Sequence, residues 1–75
     1  MKELILLDEV SKDEGKVVRD YESNFNMNSL GVKTIGNGWC PVTFIIEKDG
    51  KLFGKIATDS VPTEIYDGYT VLVNI

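Results

Sequence analysis

Few residues in this 75-residue chain are of types that do chemistry, and their spacing does not assemble them. Cys40 is the single thiol, flanked by Trp39 and Pro41, and the chain has no histidine. A nucleophilic thiolate needs a nearby base, and a dithiol redox site needs a second cysteine at short spacing. A structural zinc site needs about four ligands. Cys40 therefore reads as a buried structural thiol, the usual state of a free cysteine. The acid pairs are Asp8 with Glu9, Asp13 with Glu14, and Asp20 with Glu22. Neighbours on a strand point to opposite faces, so the first pair cannot easily converge as acid and base. Asp20 and Glu22 would share a face, but both read as solvated. No calcium-loop pattern occurs. Gly36-Asn37-Gly38 lacks the spacing of a dinucleotide loop and reads as a sharp turn. These residues point away from catalysis and imply no metal or cofactor.

Binding chemistry is better represented. Tyr21, Phe25, Trp39, Phe44, Phe53, Tyr66 and Tyr69 are the aromatics, and Lys33, Lys48, Lys51 and Lys55 lie among them. Aromatics with lysines can stack and hold single strands. The net charge of −4 opposes that use, because affinity for nucleic acid rests on neutralising phosphates. Residues 1–25 and residues 59–75 each carry a net charge of −3, and residues 26–58 carry +2. The acidic ends read as solvated surface, or as a face towards a basic protein partner. The polar loop holding Asn24, Asn26 and Asn28, together with Asn37, offers contacts for a small ligand or nucleotide stacked on Trp39.

These residues need elements to position them. The strongest folding signal runs from Pro41 to Ala57. Val42–Glu47 and Leu52–Ala57 are rich in β-branched and aromatic residues, with Lys48-Asp49-Gly50 between them as a turn. A two-residue turn at Asp49-Gly50 places Lys55 beside Phe44. A three-residue loop with a bulge at Gly50 pairs Glu47 with Lys51 and is the preferred register. It puts Val42, Phe44, Ile46, Leu52 and Ile56 on one face and sets Phe44 across from Gly54. Ile45 and Phe53 then lie together on the other face.

Leu4-Ile5-Leu6-Leu7 is apolar on both alternating faces and predicts a strand buried on both sides. From Ser11 to Phe25 two readings compete. In the favoured one, Asp13-Glu14-Gly15 is a hairpin turn and Lys16–Tyr21 a returning strand. In the other, Ser11 caps a short helix near residues 12–25 with Glu14 completing the capping box, although Gly15 in the first turn counts against it. Residues 31–35 predict a short strand, with Pro41 at a strand start or edge. Asp67-Gly68 is a turn, and Tyr69–Ile75 closes the chain as a strand with Tyr69, Val71, Val73 and Ile75 on one face. The sum is a mostly β fold of five or six short strands, a small antiparallel barrel or a twisted sheet.

Residues 1–75 read as a single small β domain. A domain of this size is marginal unless helped, and with no disulfide or metal the remaining help is oligomerisation. No secretory signal or membrane span is visible, which together with a free cysteine suggests a cytoplasmic protein. The expected function is that of a non-enzymatic protein-interaction module. It would self-associate or dock on a larger protein, with Trp39, Ile45, Phe53 and Tyr66 as the contact patch. Its composition is analogous to that of small phage and mobile-element regulators. A ligand- or nucleotide-binding barrel is the alternative, and single-strand nucleic-acid binding is a third reading.

Overall fold

The structure, a computed structural model, describes residues 1–24, 30–33, 39–57 and 67–75, with the backbone alone described at 24, 32, 33, 39 and 40. Six strands follow in chain order: β1 (Lys2–Leu7), β2 (Lys16–Asp20), β3 (Gly31–Lys33), β4 (Trp39–Lys48), β5 (Lys51–Ile56) and β6 (Tyr69–Val73). Five of them form one open sheet in the order β2-β4-β5-β1-β6. β3 pairs with Trp39–Pro41 at the start of β4. The mostly β expectation holds, in its twisted-sheet form. One pairing departs from an antiparallel plan, for β1 runs parallel to β5.

The β4–β5 hairpin turns at Asp49 (φ 53°) and Gly50 (φ 76°). Two consecutive left-handed residues make the tight two-residue turn whose twist matches that of the flanking strands. Lys48 therefore pairs with Lys51, Glu47 with Leu52 and Phe44 with Lys55. This corrects the preferred three-residue loop. The physical reason lies six residues upstream, where the register shifts between Val42 and Phe44. Thr43 is the extra residue there, and its hydroxyl donates to the Lys55 carbonyl at 3.1 Å. The bulge reverses the alternation of β4, so Val42 and Ile45 share one face while Phe44 and Ile46 share the other. Ile45, not Phe44, stands across from Gly54. Leu4 and Leu6 fill the space over that glycine.

Both faces of the sheet bury apolar side chains. The first cluster comprises Leu4, Leu6, Val42, Ile45, Leu52, Ile56 and Val73, with Val18, Tyr21, Leu30 and Val71 packed against it. The second comprises Val10, Phe44 and Ile46, flanked by Leu7 and Phe53. Each fully buried aliphatic side chain contributes roughly 1.5–3 kcal/mol. Two-sided burial explains the continuous apolar runs of β1 and β4, because a central strand covered on both sides need not alternate.

The expected hairpin of residues 4–21 does not form, and neither does the alternative helix. Lys16–Asp20 is a strand, but it pairs with β4 at the far edge of the sheet. Both sides of β1 are occupied, by β5 and β6. The connection from β1 to β2 must pass three strand spacings, about 14 Å. It does so over the second face, where Val10 joins Phe44 and Ile46. Ser11 accepts from the Asp13 N–H at 3.2 Å and caps a single 3-10 turn, Lys12–Glu14. A second 3-10 turn spans Glu22–Asn24. A simple hairpin would have left the second cluster without this cover.

Candidate interaction surface

The strap between β1 and β2 is held by charge. Lys12 Nζ bridges Asp20 at 2.9 Å and Glu22 at 2.8 Å, and it sits 5.3 Å from the centroid of the Phe44 ring. Hydrogen bonds to Glu22 and Asp20 raise the Lys12 pKa above its ordinary value. The Lys12 hydrogen bond lowers that of Asp20, with help from the Glu22 N–H and the Ser23 hydroxyl. Asp8 approaches Lys55 at 3.9 Å from the other end of the strap. These groups fasten the strap, and each acid faces a cation.

The sheet ends in two unlike edges. β2 carries Lys16, Arg19 and Asp20, all exposed, and its ladder is interrupted by a register shift between Val17 and Arg19. Charge and bulges are the usual devices that stop a sheet edge from pairing with another chain. β6 has neither. Its sequence is Tyr69-Thr70-Val71-Leu72-Val73, without charge or proline. It pairs regularly with β1, from Lys2 opposite Val73 to Leu6 opposite Tyr69. No described residue pairs with its outer side. Val73 is buried, yet Leu72 is 61% exposed and Tyr69 40%. By register, Ile5 and Phe53 stand side by side on the face that also carries Leu72, and both are only half-buried. A free apolar edge thus adjoins a partly open apolar patch.

A shallow recess of about 470 Å³ lies beside it, lined in part by Ile5, Leu52 and Thr70. Its charges balance, with Lys2 and Lys51 against Glu3 and Glu47. Such a lining selects neither an anion nor a cation.

Of the contact residues expected from sequence, Ile45 and Phe53 do not come together. Ile45 is fully buried in the first cluster, opposite Gly54, while Phe53 is opposite Ile46 on the second face. The bulge at Thr43 separates the two, so Ile45 offers no contact surface. Trp39 begins β4 and pairs with Lys33, its side chain lying outside the description. Asn24 ends the second 3-10 turn. Tyr66, Asn26, Asn28 and Asn37 lie outside the described residues. Sequence reasoning missed β6 as an edge. No local signal marks it, because an uncharged strand reads equally well as a central one.

Among the described residues no helix is long and apolar enough to cross a membrane, and no group of three potential ligands converges to hold a metal ion. Among the described residues, the fold and the edge define a small open mixed β-sheet with β6 as an uncharged outer strand. No family model matches the chain, and no curated protein or solved structure is significantly similar to it.

Proposed function

We propose that this protein is a protein-interaction module that binds by strand addition at β6. The observation that carries the reading is the contrast between the edges. β2 is charged and bulged, whereas β6 is regular, uncharged and apolar, with Leu72 61% exposed. An exposed edge of this kind is a template for another strand, in which main-chain hydrogen bonds give affinity and alternate side chains give specificity. The half-buried Ile5 and Phe53 extend the contact beyond the backbone ladder.

The test compares two baits, wild type and Leu72→Lys, in capture from host extract. Lysine on an edge strand is a natural block to pairing, and position 72 is already solvated. The expected outcome is a partner retained by wild type and lost by the variant. The same set retained by both baits rules β6 out as the interface.

A small-ligand reading retains one supporting observation, the recess beside Thr70. Its openness and balanced charge support it less well than the edge contrast supports strand addition.

A further inference from the structure

Resting on the strand-addition reading, we infer that the strand received by β6 is β6 of a second copy, antiparallel, with a two-fold axis at Val71. Residues directly opposed in an antiparallel pair must project from the same face. For a strand paired with its own copy, the two-fold axis must then pass through a residue. Centring it on Val71 uses all of Tyr69–Val73. Val71 then opposes Val71 of the second copy, Tyr69 opposes Val73, and Thr70 opposes Leu72.

Two features favour a second copy as the occupant. The strand carries no charge, so self-pairing sets no like charges opposite one another. The operation is also closed. It joins two open five-stranded sheets into one continuous sheet with a β2 strand at each end, and the two-fold uses both β6 edges, so assembly stops at two. Leu72 gains cover from Thr70 of the second copy, and the Ile5–Phe53 patches continue across the junction.

Five paired residues make a small interface, below the roughly 1,200 Å² of stable complexes. The dimer is therefore weak and concentration-dependent. Sedimentation equilibrium from micromolar to millimolar protein tests it on three chains. Wild type should pass from monomer to dimer. Thr70→Lys with Leu72→Lys sets lysine against lysine twice and should weaken the dimer about tenfold or more. Thr70→Glu with Leu72→Lys sets opposite charges in the same places and should restore it. Both positions are exposed in the monomer, and circular dichroism confirms that each variant folds.

A wild type that stays monomeric at millimolar concentration overturns the second copy. So does a dimer indifferent to both double variants, which would assemble through another surface. If wild type is monomeric while a captured partner still depends on Leu72, the self-pairing fails and strand addition at β6 stands. If the captured set is also unchanged by Leu72→Lys, both fail.

Discussion

The Lys12 ammonium stands 5.3 Å from the centre of the Phe44 ring and holds the β1–β2 strap across the second face of the sheet. The same nitrogen bridges Asp20 and Glu22. Lys12→Met keeps the aliphatic stem and removes the charge. The variant should melt at a lower temperature than wild type near neutral pH, and added salt should narrow the gap, because these side chains are about one-third to one-half exposed.

The pH dependence of that gap follows from the two shifts. Asp20 is held below its ordinary 3.8, so its contribution is complete above that pH and is lost as pH falls through the lowered value. Lys12 is held above its ordinary 10.5, so its contribution is complete below that pH and is lost as pH rises through the raised value. The difference in melting temperature between wild type and Lys12→Met should be flat between these limits and close at both extremes. A gap that widens on acidification would contradict the assignment.

Two glycines separate hard from soft crowding. A Cβ on Gly15 would press on the Glu47 carbonyl, which is backbone in the β2–β4 ladder and cannot turn aside. The nearest neighbours of a Cβ on Gly54 would be Leu4 and Leu6 methyl groups at 3.3 Å, which can yield by a few tenths of an ångström. Gly15→Ala should cost about 1–3 kcal/mol in denaturant unfolding, and Gly54→Ala less than about 1 kcal/mol. Equal costs at the two sites would show that the strap is not seated against β4 as described.

Gly50 has no neighbour within 4 Å, so its requirement is conformational and rests on its φ of 76°. Gly50→Ala should cost about 1–2 kcal/mol, since an L side chain resists the left-handed region. A neutral result would contradict the left-handed conformation at Gly50.

Core and edge should respond oppositely. Ile45→Ala should cost about 2–5 kcal/mol, as for other fully buried aliphatic truncations. Leu72→Lys should leave unfolding within about 0.5 kcal/mol of wild type, because the side chain is already solvated. Chemical denaturation of both variants checks the pair, and a large loss for Leu72→Lys would mean that β6 is covered within the chain.

Local chemistry made much of this fold readable. Val42–Ile46 and Leu52–Ile56 read as strands because their side chains suit a pleated surface, and Asp49-Gly50 as a turn because glycine accepts left-handed backbone. Leu4–Leu7 read as doubly buried because both alternating positions are apolar, and Tyr69–Val73 as the closing strand. Strand content, most turn positions and the surplus of apolar side chains over one face therefore follow from local chemistry.

How those pieces meet depends on pairings between residues far apart in the chain. Whether Lys16–Asp20 pairs with β1 or β4 depends on β5 and β6 having taken both sides of β1, which no local window contains. One bulge at Thr43 moved Ile45 into the core and left Phe53 on the opposite face, because a single extra residue inverts a period of two. Edge status is likewise a property of the assembled sheet. β6 became the candidate surface only when every other strand had found its place, since a strand is an edge by what does not pair with it.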